Sequence, residues 1–214
     1  YDYGLTVNPY PWPQAATTVR VQAGGNAADT AAGAGARTIV VYGLDQTWAL
    51  AQETITLAGA SASASTTTTF VRIYRVQVAT TGTYSGSNAG DITIENTAGT
   101  NVLAQIKALF GTTQMTTYTI PLGFTGYIKR MSISVDSGKF ANFFVYKREN
   151  ADIVAAPFGP KILINRALGI AGWISDKSEV YQKLNEKTDI WVAAAMTAAT
   201  GNVFVHYSIR LVAN

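Results

Sequence analysis

Cysteine is absent from the chain and histidine occurs once, at His206. Without thiols there can be no disulfide framework, thiolate nucleophile or cysteine-built zinc site, and one imidazole cannot supply even a two-histidine metal cluster. Charge is scarce as well: Asp, Glu, Lys and Arg make up 14% of the residues, against roughly 25% in an average soluble domain. No apolar run approaches the ~18–20 residues a membrane-crossing helix needs. No basic segment followed by an apolar stretch opens the chain. These absences lead us to expect a soluble protein with no metal, no cofactor and no membrane contact.

What is present is small and β-prone. The 214 residues include 32 Ala, 27 Thr, 19 Gly and 11 Ser, while 48% of the chain is hydrophobic and 11% aromatic. That apolar content excludes disorder, and the length suits either one large domain or two small ones.

Residues 1–18 carry Pro9, Pro11 and Pro13 around Tyr10 and Trp12, a pattern that holds the backbone extended. The segment reads as an arm whose Tyr1, Tyr3, Tyr10 and Trp12 lie over the parent domain or over a neighbouring protein. From Thr17 onward, short β-branched runs alternate with Gly, Asn, Asp and Ser clusters, the pattern of strands and turns. Eleven strands are predicted: Thr18–Ala23, Arg37–Tyr42, Glu53–Leu57, Thr69–Thr80, Asp91–Glu95, Met115–Ile120, Thr125–Val135, Phe140–Arg148, Lys161–Ile174, Thr188–Met196 and Val203–Val212. Asn101–Phe110 and Lys177–Glu186 fit a short helix or a strand. Strands do not alternate with amphipathic helices, so the expected fold is all-β: an antiparallel, jelly-roll-like β-sandwich over 19–214, preceded by the extended arm.

Charge is unevenly spread. Residues 1–105 hold four basic and six acidic side chains, and residues 106–214 hold twelve and seven, including all eight lysines. The asymmetry fits a domain boundary, two ends of one sandwich, or lysines that guard strand edges.

Few residues suggest chemistry. Alternation places His206 on one strand face with Phe204 and Ser208, with no Gly-x-Ser-x-Gly elbow to supply a nucleophile. Gly33-Ala34-Gly35-Ala36 lacks the Lys-Ser/Thr and the helix of a phosphate loop. Asp29, Asp45 and Asp91 are isolated and read as turn or strand-start residues rather than a calcium loop. A net charge of +3 without a dense Lys/Arg cluster argues against nucleic acid. Trp48, Trp173 and Trp191 could stack on sugars. Trp191 lies in the apolar run Ile190–Ala195 and reads as core, which leaves Trp12 and Trp48 as the better surface candidates, for a sugar or a subunit seam.

One stretch carries a resemblance. Gly43-Leu44-Asp45, Trp48, Glu53-Thr54, Thr56-Leu57 and Gly59, followed by a Thr-rich turn and strand, resemble a phrase in structural proteins of tailed bacteriophages of the marine and cyanobacterial type. Phe70–Ala79, Asn88–Ile94, Gln114–Pro121, Gly126–Val135 and Glu186–Val192 are similar to later pieces of the same group. The resemblance spans about 33–212 and brings no catalytic residues. It implies a non-enzymatic virion protein, a homotrimeric capsid decoration or cement protein in contact with the major capsid protein. The alternative it leaves is a head-fibre, tail or receptor-binding module that recognises host glycans. On either reading the protein is assembled in the host cytoplasm and exposed on the particle.

Overall fold

Fourteen antiparallel strands account for the regular structure of the computed structural model, which describes residues 10–176, 182–197 and 201–214. All eleven predicted strand regions contain strand, and no helix occurs among the described residues. Of the two ambiguous segments, Asn101–Phe110 contains the strand Val102–Ile106, and the described end of Lys177–Glu186 contains Gln182–Leu184. Residues 177–181 lie outside the described residues.

The sequence reading draws one sandwich across 19–214, whereas the strands gather into two compact units, one ending at Met115 and the other running Thr116–Asn214. Each has its own buried apolar cluster. The division falls ten residues beyond the change in charge balance noted at residue 105.

The N-terminal unit holds β1 (Val19–Val21), β2 (Ala36–Asp45), β3 (Leu50–Thr56), β4 (Phe70–Thr81), β5 (Ile92–Asn96) and β6 (Val102–Ile106). They form two three-stranded sheets, β3-β2-β4 and β1-β5-β6. Alternation sets the inward face: Ile39 and Val41 of β2 are fully buried while Val40 and Tyr42 are half-buried. Ile92 and Ile94 of β5 and Leu103, Ala104 and Ile106 of β6 complete the same core.

Polar side chains, the first two of them buried, fasten the loops of this unit. Asp29, only 4% exposed, accepts three backbone N–H bonds at 2.8 Å, from Ala36, Ala89 and Gly90. Asn88 accepts from Gly111 N–H at 2.9 Å and donates to the carbonyls of Gly90 and Lys107, both at 2.8 Å. Glu53 accepts from the backbone N–H groups of Thr67 and Thr68 at 2.9 and 2.7 Å, which pins the Thr-rich turn to β3. These contacts satisfy backbone groups that would otherwise be orphaned.

The C-terminal unit holds β7 (Tyr118–Thr119), β8 (Phe124–Val135), β9 (Ala141–Arg148), β10 (Ile162–Ile170), β11 (Trp173–Asp176), β12 (Gln182–Leu184), β13 (Asp189–Met196) and β14 (Val203–Ala213). One sheet runs β10-β9-β13-β7. In the other, β8 pairs with β14 along its whole length, and with β11 and β12 in succession. The predicted single strand Lys161–Ile174 is broken into β10 and β11, which belong to different sheets. Gly172, at φ 71°, stands just before β11 in the left-handed region that glycine enters without a steric penalty.

Candidate functional site

The predicted arm residues turn inward wherever they are described; Tyr1 and Tyr3 lie outside the described residues. Tyr10 is 2% exposed, and its phenolic oxygen accepts the Ile73 N–H at 2.9 Å. Its ring meets Trp12 edge-on at 4.9 Å. Thr17 exchanges backbone hydrogen bonds with Phe70 at 3.1 and 2.8 Å, so the described part of the arm lies along β4 of its own unit.

Trp48, expected at the surface, is buried at 8% exposure. The cause is local. Asp45 Oδ1 accepts from Thr47 N–H at 2.8 Å and Thr47 Oγ1 at 2.6 Å, closing the β2–β3 turn, and Trp48 sits in it at φ 65°. The buried Arg72 guanidinium lies 5.0 Å from the Trp48 ring centre and 5.4 Å from that of Trp12. Arg72 also donates from Nη1 to the Pro13 carbonyl at 2.5 Å and the Val71 carbonyl at 2.9 Å. A cation held against two indoles and bonded to carbonyls is a structural clasp. Tyr10, Trp12 and Trp48 are consumed by the fold of the N-terminal unit.

Outward-facing aromatic groups are found on both sheets of the C-terminal unit. In the four-stranded sheet, Phe144, Tyr146 and Trp191 form a half-buried row, with stacked ring pairs at 6.4 Å and 5.5 Å. Trp191, read as core, faces away from it, while its neighbours Ile190 and Val192 point inward. An unbroken apolar run conceals which half of an alternating strand is outside. The Lys161 ammonium covers this row, 3.7 Å from the Tyr146 ring centre and 5.6 Å from that of Trp191.

The face on the β11-β8-β14 sheet is open. Ile133 and Val135 of β8 point into the core, so alternation sets Ser132 and Ser134 on the opposite face, where Ser132 is buried among its neighbours and Ser134 is half-buried. Across the strands, Trp173 and Phe204 are both register partners of Ser134, and Ser175 and His206 are both partners of Ser132. Arg130 is opposite Ser208 in the next row. Trp173 is 66% exposed and Phe204 is 53% exposed. Arg130 Nε donates to Ser175 Oγ at 3.1 Å, and the Ser132 and Ser175 hydroxyls are 3.3 Å apart. The face therefore presents two exposed rings separated by a serine, and beside them along the strands the rows that carry hydroxyl, imidazole and guanidinium groups.

Sequence alternation already groups His206, Phe204 and Ser208. Trp173 is already a sugar-stacking candidate there, but the undivided strand 161–174 gives no sign that its end changes sheet and so no sign that Trp173 joins Phe204. Among the described residues, no group of three or more His, Asp or Glu side chains is placed to hold a metal ion.

No family model, curated protein or solved structure matches the chain.

Proposed function

We propose that this chain is a non-enzymatic structural protein of a bacteriophage particle, a decoration or cement subunit of the head that packs against copies of itself, as a trimer, and against the major capsid protein. The observation that carries the reading is the distribution of exposed apolar side chains. Among the described residues, twelve of the seventeen large exposed hydrophobics belong to the C-terminal unit. Eight of them fall between Ile153 and Ile174. A monomer gains nothing by leaving so many large apolar groups in water, and their concentration in one stretch of the chain suits a protein contact. The resemblance of Gly43–Gly59 and the later pieces to tailed-phage structural proteins supplies the particle.

Attachment on this reading runs through the C-terminal unit, because the described part of the arm is engaged in its own fold. The test is co-sedimentation of the tagged chain with phage heads. Wild-type chain is expected at a fixed stoichiometry, and a Phe158→Lys, Leu163→Lys, Leu168→Lys variant at less than about a tenth of it. Heads that carry none of the wild-type chain would overturn the reading.

The open Trp173–Phe204 face favours a second reading, a head-fibre, tail or receptor-binding module that contacts host glycans.

A further inference from the structure

The geometry points to a saccharide slot on the outer face of the β11-β8-β14 sheet, in which Trp173 and Phe204 hold one pyranose ring of an acidic polysaccharide over Ser134. The inference deepens the second reading and rests on it only for where the saccharide is met. Neither the Tyr146–Trp191 row, which Lys161 already covers, nor the Trp48–Arg72 clasp, which is buried, leaves a comparable opening.

Spacing is the first argument. Trp173 and Phe204 share one register row on strands either side of β8, and neighbouring strands are about 4.8 Å apart, so the two side chains rise from backbones about 9–10 Å apart. A ring stacked between two aromatic planes at ordinary contact needs about 7–8 Å. The serine at Ser134 leaves that space free of a bulky side chain.

The second argument is the polar row beside the rings. A flat apolar occupant would lie on the Ser134 hydroxyl and against the Ser175 hydroxyl, the exposed His206 imidazole and the Arg130 guanidinium of the neighbouring rows, and would offer their polar atoms no partner. A pyranose presents apolar C–H faces to the rings and a rim of hydroxyls to the donors and acceptors beside them, so it satisfies both halves of the surface. Small-molecule sites combine apolar walls with a few placed polar groups in this way.

Charge selects the class. Arg130 is exposed, with its Nε engaged by Ser175, and residues 116–214 carry eleven basic against seven acidic side chains. A uronate or neuraminate carboxylate answers the guanidinium through charge-assisted hydrogen bonds that a neutral sugar cannot make.

Affinity electrophoresis of the whole chain tests the slot, with polygalacturonate, alginate or polysialic acid cast in the gel, and dextran and hydroxyethylcellulose as neutral controls. Retardation by at least one acidic polymer is expected. Trp173→Ala and Phe204→Ala should each raise the apparent Kd about tenfold or more, Arg130→Gln several-fold, and Trp173→Phe less than about threefold, because stacking survives. Far-ultraviolet circular dichroism of these exposed-site variants confirms that they are folded. The slot is overturned if no acidic polymer retards the chain, if only neutral polymers do, or if Trp173→Ala and Phe204→Ala bind like wild type. A chain that binds acidic polymer but never accompanies particles supports the slot and removes the particle reading, which separates the two failures.

Discussion

The two units of this chain are built from antiparallel sheets and differ in where their tryptophans and several other rings go. In the N-terminal unit, Asp29, Asn88 and Glu53 point at backbone N–H groups of its own loops, and two tryptophans close over Arg72. In the C-terminal unit Phe143 lies in the core, but Phe144, Tyr146 and Trp191 on one sheet and Trp173 and Phe204 on the other face outward. An uncovered ring is a liability for a lone monomer. One unit is thus organised around internal closure, and the other around surface available to something else.

The largest test of that contrast is Asp29→Ala. It removes the acceptor for three backbone N–H groups at once, and each orphaned buried donor costs about 1–3 kcal/mol. With some relief from water we expect a loss of about 4 kcal/mol, seen in hydrogen exchange as faster exchange through β2 and β5. Protection of β9 and β13 should stay as in wild type. Equal loss in both units would show that the separate clusters are energetically one, and would break the comparison.

The next test applies one substitution to two tryptophans. Trp48→Ala opens a cavity beside a buried guanidinium and should cost about 3 kcal/mol. Trp173→Ala removes an exposed ring from an edge strand and should stay within about 0.5 kcal/mol. Urea midpoints at unchanged m-values measure both. A large cost at Trp173 would mean that the open face is part of the unit's own stability.

Much of this fold is legible in the sequence, and what is hidden has definite causes. Alternation locates all eleven predicted strand regions because Val, Ile and Thr recur at period two between Gly and Asn clusters. It does not show which residue of an apolar run faces out, and so Trp191 was assigned to the core. It also cannot register a change of sheet without a change of pattern, which is how the break after Ile170 escaped notice and, with it, the pairing of the candidate Trp173 with Phe204 across β8. Trp48 reads as a surface candidate because it lies outside any long apolar run, yet a partner that packs on it, Arg72, lies 24 residues away in sequence. Glu53 and Asn88, which the sequence reading takes as part of a family pattern, have the visible work of holding loops. Residues of that kind report architecture more directly than binding.

Within the C-terminal unit, the two outward aromatic faces differ by one cation. Lys161 lies over Tyr146 and Trp191, and an exposed cation–π contact contributes about 0.5–1 kcal/mol. Lys161→Ala should lose that much and Lys161→Arg should keep most of it, read again from urea midpoints. Lys161→Glu at wild-type stability would show that the ammonium contributes nothing, and the distinction between a covered and an open face would then rest on exposure alone.

The smallest expected effects separate the units by pH. Burial raises the pKa values of Asp45 and Glu53, but hydrogen bonds from Thr47 and Ala49, and from Thr67 and Thr68, outweigh it and leave both below their ordinary values of 3.8 and 4.5. Asp91 is also lowered from 3.8, first by its hydrogen bond from Lys107; burial opposes this, and the Ala108 N–H and the Lys107 charge add to the lowering. All three belong to the N-terminal unit. A carboxylate whose folded pKa lies below its unfolded one stabilises the fold above the unfolded value, and the contribution disappears as pH falls through the folded value. The groups are largely solvated, so each contributes only a few tenths of a kcal/mol after screening. Acidification from pH 5 to pH 3 should therefore lower amide protection factors, measured against the intrinsic rate at each pH, in β2, β3 and β5 more than in β9 and β13. A combined Asp45→Asn, Glu53→Gln, Asp91→Asn variant should flatten that slope, and 1 M salt should reduce mainly the Asp91–Lys107 share, because a partly exposed ion pair is screened while short hydrogen bonds to backbone are not. If the variant keeps the full wild-type slope, the acid sensitivity of the unit has another source, and its loop carboxylates act as neutral turn residues would.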